Sequence, residues 1–188
     1  VFFMVGKTFI FDYDDTLAWN EYCYSFAELK LADWIMHKFG PKTPKPYEIG
    51  NLEVAIDKAA VETMGFSMYR FPASCRETYR KICEIKGVLP REEDLQTAYN
   101  IGKLAFDERL WREQGLVDGA VETLDFLLSQ NDELMVVSKG EREIQEKKFS
   151  ATEIKRWFGD KLYVVPKKDK ESLQAYVKGK NFGDVWLV

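Results

Sequence analysis

Histidine is almost missing from this sequence: His37 is the single one among 188 residues. One imidazole, inside a helical pattern, excludes triad chemistry and a His-rich metal site. Cysteine is scarce as well. Cys23, Cys75 and Cys83 are odd in number, and no two stand at metal or redox spacing. They read as idle or buried thiols in a reducing cytoplasm. No stretch approaches the roughly 18 apolar residues of a membrane helix, and the opening VFFMV is too short for a signal peptide and lacks a basic leader. Repeats and low-complexity tracts are absent. The net charge of −4 speaks against a general nucleic-acid or anionic-membrane surface. Lysines gather at Lys167, Lys168 and Lys170, and at Lys178 and Lys180; solvated helix ends account for most of them. What is present is a globular composition, 46% hydrophobic and 31% charged, in a chain long enough to bury a full core.

Lys7 to Phe11 is brief, apolar and aromatic, and reads as a buried strand. From Trp19 to about Gln114 the pattern turns helical. Leu29, Ala32, Ile35, Met36 and Phe39 recur at helical spacing, and Gly40-Pro41 stops that helix. Pro41, Pro44 and Pro46 predict a stiff connector. Asn51 is positioned to cap a second helix ending at Met64-Gly65, and Pro72 to open a third ending at Gly87. REEDLQTAYNIGKLAFDERLW predicts a fourth, with acids in its first turn. After Gly115 the rhythm changes. Helix (DGAVETLDFLLSQ, with Val121, Leu124 and Leu128 inward), strand (LMVV), helix (EREIQEKKFSATEIKRWFG), strand (LYVV), helix (KESLQAYVKG) and strand (DVWLV) follow one another. That alternation predicts a parallel sheet with right-handed crossovers.

The segment KTFIFDYDDTLAWN ends its apolar run in Asp12, Asp14 and Asp15. So much like charge at the mouth of a buried strand calls for a cation or a reaction in front of it. Ligands of such sheets bind beyond the carboxyl ends of the strands. Asp12 lies at one such end, Ser138 at a second, and Lys167 with Lys168 after a third. Residues two apart in extended chain face the same way, so Asp12 and Asp14 share a side while Tyr13 turns away. Two close carboxylates suit a division of labour, one attacking beside Mg²⁺ while the other carries a proton to a leaving oxygen. Asp15 or Thr16 is suited to cap the turn. The Ser138 hydroxyl and a lysine suit phosphate oxygens.

FIFDYDDTL resembles the first motif of the haloacid dehalogenase superfamily, D-x-D-x-T after an apolar strand. LMVVSKG resembles its second motif and LYVVPKKDKES its third, while DGAVETLDFL is similar to the segment before the second. The resemblance implies an α/β protein whose core is a Rossmann-like doubly wound parallel sheet, residues 1–18 and 115–188. It implies a helical cap domain, 19–114, inserted after the first strand. It makes Asp12 the nucleophile, Asp14 the acid/base and Thr16 the motif threonine. Ser138 and Lys168 hold phosphate, with Lys167 the alternative lysine; Asp15, Lys139 and Tyr22 join the substrate contacts, and Asp12 and Asp14 hold Mg²⁺. Glu21 and Tyr24, at the cap hinge, are further candidates, whereas Trp34, Tyr69, Phe71 and Trp111 read as core. Dehalogenases of the family carry D-x-Y; Asp14 points to the phosphatase branch.

The implied activity is hydrolysis of a small phosphorylated metabolite through an aspartyl-phosphate, by a cytoplasmic monomer or homodimer with no nucleic-acid or membrane partner. A phosphotransferase or mutase, or a non-catalytic protein that binds Mg²⁺ or phosphate, are the alternatives. A receiver domain also uses Asp and Lys, but a helical insertion of this length argues against it. The family's fourth motif, an acidic metal ligand, belongs after VWLV; Asp184 precedes that strand and so sits at the opposite edge. Up to Val188, therefore, either the chain continues or the metal site is incomplete.

Overall fold

The computed structural model describes residues 6–180 and 184–188; the opening VFFMV lies outside them. Thr8–Phe11 (β1), Glu133–Lys139 (β2), Leu162–Val165 (β3) and Val185–Leu187 (β4) form one parallel sheet in the order β3-β2-β1-β4. Leu134 to Val137 of β2 are all buried, as a central parallel strand covered on both faces requires. Alternation along the strands divides the core. Phe11, Leu134 and Val136 join one cluster with Tyr13, Leu124, Phe149 and Trp157. Ile10, Met135 and Val137 join another with Val165 and Val177.

The chain divides into two compact units, Val1–Glu21 with Glu108–Val188, and Tyr22–Asp107. The second is helical. Its helices are Glu21–Phe39 (α1, whose first residue belongs to the other unit), Pro46–Met64 (α2), Arg70–Lys86 (α3) and Glu92–Gly102 (α4), with 3₁₀ turns at Gly40–Lys42 and Lys103–Phe106. The first unit adds Glu108–Gln114 (α5), Ala120–Ser129 (α6), Arg142–Ala151 (α7), Lys155–Phe158 (α8) and Lys170–Tyr176 (α9).

The helical unit departs from its sequence pattern in three places. On α1 the buried residues are Cys23, Ala27, Leu31, Ala32 and Ile35; Ala32 and Ile35 turn inward as expected, whereas Leu29 is 69% exposed and Met36 is exposed too. Cys23 and Ala27 carry less apolar signal than the neighbouring Leu29 and Met36. Helix α2 begins at Pro46 rather than Asn51, because proline's fixed φ and missing N–H suit the first helical position. The predicted fourth helix breaks after Gly102. A Cβ there would stand 2.7 Å from Pro72 Cα, so α4 packs on α3 through bare backbone. In the other unit, Leu128 of α6 is exposed while Leu124 is fully buried. Phe71 and Trp111 are buried, as expected, but Tyr69 is exposed. The three cysteines are free and buried. Among the described residues, no helix is long and apolar enough to cross a membrane.

Candidate active site

Parallel pairing puts the carboxyl ends of all four strands on one edge of the sheet, and chemistry-bearing residues gather there. Asp12 follows β1, and its N–H donates to the Val188 carbonyl after β4 at 3.0 Å. Ser138 is the penultimate residue of β2, paired in register with Val164 of β3. Lys167 and Lys168 follow β3 across Pro166.

Lys168 forms an ion pair with Asp12 Oδ1. Lys167 instead extends, 77% exposed in its side chain, toward Asp169 at 3.2 Å. Oδ1 of Asp12 also accepts the Tyr13 N–H at 2.6 Å. Ser138 is fully buried, and its Oγ has no hydrogen-bond partner among the described residues. A buried hydroxyl left unpaired costs about 1–3 kcal/mol, so a polar ligand at the strand end would relieve it.

Tyr13 turns away from the edge, as alternation requires. Its ring is 1% exposed and stands edge-on to Phe149 at 4.7 Å. Its hydroxyl donates to the Lys148 carbonyl at 3.1 Å and shares a hydrogen bond with Thr152 at 2.9 Å. Burial pushes the phenol well above its usual range, with the Asp14 charge adding to the effect. After Tyr13 the chain curls tightly, and the Tyr13 carbonyl accepts the N–H groups of Thr16, Leu17 and Ala18.

Asp14 reaches partners that the sequence did not single out. Oδ1 accepts from Lys148 Nζ at 2.7 Å, and Oδ2 accepts from Gln145 Nε2 at 2.8 Å. Lys148 and Gln145 are 6% and 3% exposed. Both lie on α7, in a stretch that reads as a solvated charged helix. The available signal was their place in the buried stripe beside Ile144 and Phe149.

Asp15 is exposed and adopts φ +59°. Its Oδ1 accepts the N–H groups of Asn20 and Glu21 at 2.9 and 2.8 Å, capping the start of α1 instead of facing the strand ends. Thr16 is partly exposed within the curl. The Lys139 carbonyl accepts from Gln145 Nε2 at 3.2 Å. In the helical unit, Tyr22 is exposed and stacks on Phe26 at 6.3 Å. Tyr24 packs edge-on against Phe71 and Phe106 within that unit's own core.

The donor set at the strand ends is carboxylate oxygen, and the Asp12 side chain is 42% exposed. That fits a hydrated Mg²⁺, which takes one or two carboxylates and completes its shell with water and substrate phosphate. Among the described residues, no group of three or more His, Cys, Asp or Glu side chains forms a full protein cage for a metal.

No protein-family model and no curated protein matches the sequence. Solved structures do. A haloacid dehalogenase-like family hydrolase from Xanthomonas campestris superposes with a TM-score of 0.74 at 17% identity, over 97% of this chain and 72% of its own. A HAD-hydrolase from Bacillus subtilis, solved bound to magnesium, gives 0.56 at 18% identity, over 97% and 77%. L-2-haloacid dehalogenase from Xanthobacter autotrophicus gives 0.50 at 14%, over 97% and 69%. The chain has the haloacid dehalogenase-like fold: a parallel α/β sheet, with a helical unit inserted after its first strand.

Proposed function

We propose that this chain is a Mg²⁺-dependent phosphohydrolase, acting on a small phosphorylated metabolite through an aspartyl-phosphate. The observation that carries the reading is the meeting of Asp12 with Lys168 at the strand ends, the edge that also holds Ser138, whose buried hydroxyl has no partner among the described residues. Lys168 and the Tyr13 N–H both engage Asp12 Oδ1, which leaves Oδ2 to attack. It forms a bond to phosphorus as the bond from phosphorus to the leaving oxygen breaks, and Asp14 gives that oxygen its proton. Water then attacks phosphorus as the bond from phosphorus to Asp12 Oδ2 breaks, Asp14 takes the water's proton, and phosphate leaves with the Asp12 carboxylate restored. Lys168 and the Ser138 hydroxyl answer the charge on the phosphoryl oxygens, the first as a point charge and the second as a donor. Asp12 and the Asp14 backbone carbonyl would hold Mg²⁺, which supplies charge neutralisation when bound. The helical unit is assigned to substrate selection.

The fold also houses a dehalogenase. Asp14 favours the phosphatase, because a halide departs without a proton whereas an alkoxide needs one. A phosphotransferase would differ only in the acceptor. The test is hydrolysis of p-nitrophenyl phosphate and a metabolite panel with Mg²⁺, alongside halide release from an L-2-haloacid. Phosphate release that falls to background in Asp12→Asn is the expected result. Wild-type turnover by that variant, or halide release in place of phosphate release, overturns the reading.

A further inference from the structure

Helix α7 presents two buried polar side chains, one turn apart, to the two oxygens of Asp14. We propose that Lys148 and Gln145 are positioning residues that fix the Asp14 carboxylate for proton transfer to the leaving oxygen. This rests on the phosphohydrolase reading and extends it to residues outside the strand-end motifs.

Stability alone explains the pair poorly. Taking the Lys148 ammonium out of water is costly even beside a carboxylate, and a hydrophobic side chain of equal volume is often as stable or more so; the Asp14 side chain itself stays 25% exposed. Lys148 is nonetheless buried, with Nζ donating to Asp14 Oδ1 at 2.7 Å and to Asn20 Oδ1 at 2.6 Å. It also stands 5.8 Å from the centre of the Trp111 ring. Gln145 Nε2 divides its donors between Asp14 Oδ2 and the Lys139 carbonyl. Its Oε1 is buried without a partner among the described residues, a further cost to the fold. Gly140, at φ +150°, admits this amide: a Cβ there would lie 3.0 Å from Gln145 Nε2.

The loop carrying Asp14 is fastened to the same helix through the Tyr13 hydroxyl. One rigid element therefore sets both the backbone and the side chain of the acid. Each carboxylate oxygen has two acceptor directions, so a bond to Lys148 or Gln145 leaves room for the travelling proton. An acid held in one rotamer meets the leaving oxygen at hydrogen-bond distance without searching.

Leaving groups of different quality test this. p-Nitrophenolate departs with little help, whereas phenolate needs its proton. Lys148→Met should lower kcat on phenyl phosphate by about 10²-fold, with p-nitrophenyl phosphate affected less than about tenfold and KM little changed. Lys148→Arg should restore part of the loss. Gln145→Met should repeat the pattern more mildly, and it decides the matter if Lys148→Met fails to fold. In an Asp14→Asn background, Lys148→Met should cost nothing further, since the pair acts as a unit. Equal losses on both esters, or no loss on either, overturn the positioning role while leaving the phosphohydrolase intact. If the wild-type protein hydrolyses neither ester, both readings fall.

Discussion

Ser138 puts two demands on one oxygen. Its Oγ is buried without a partner among the described residues, a cost to the fold, yet the proposed mechanism has it donate to a phosphoryl oxygen. Ser138→Ala should therefore leave thermal stability unchanged or raise it by up to about 1 kcal/mol. The same change should lower kcat/KM on a phosphate ester by about 10- to 100-fold, the value of one bond to a charged group. Melting curves and initial rates measure the two together, and a parallel fall in both would contradict the assignment. Asp12, Ser138 and the Lys167-Lys168 pair were legible because short apolar strands announce their own ends, and parallel strands share an edge. Between the two lysines the family resemblance favours Lys168, with Lys167 the alternative, and it is Lys168 that pairs with Asp12.

Among the helices, α1, α2 and α3 enclose a carboxyl group. Glu53 of α2 is 1% exposed, and its Oε1 has no partner among the described residues. Burial raises its pKa from 4.5 to about 8, with Asp57 of α2 and Glu28 of α1 adding to the rise and Arg70 of α3 opposing it. Arg70 is pledged elsewhere, since it pairs with Asp57, whose Oδ1 also accepts from Ser74 Oγ at 3.0 Å. The folded chain thus keeps a proton that the unfolded chain releases from pH 4.5 upward. Stability from this group is fully present below pH 4.5 and is lost as pH rises to about 8, at a rate of about 1.4 kcal/mol per pH unit. Denaturant midpoints measured across that range should fall, and Glu53→Gln should flatten the slope. None of this was legible beforehand, because a lone Glu in a charged helix reads as solvated. Lys148 and Gln145 escaped for the same reason. Helix existence follows from periodicity, whereas the fate of a polar residue on the stripe depends on what packs over it. The early start of α2 and the break after Gly102 are also tertiary matters, the second set by close approach to Pro72.

At the scale of the whole molecule, the sheet joins distant parts of the chain. Thr8 is in register with Glu133, so β1 meets its neighbour only after the helical unit has been spanned. Closing so long a loop costs entropy before any ladder bond repays it. The helical unit has its own core of Leu31, Ile35, Phe71, Tyr79 and Ile82, built from nearer neighbours. Refolding from denaturant should accordingly show two kinetic phases, helical ellipticity returning before the recovery of activity. A single phase common to both signals would refute that order. During synthesis, β1 leaves the ribosome well before its ladder partner β2 exists. The carboxylate proposed as nucleophile therefore waits on β2, made more than a hundred residues later, for its place at the sheet edge.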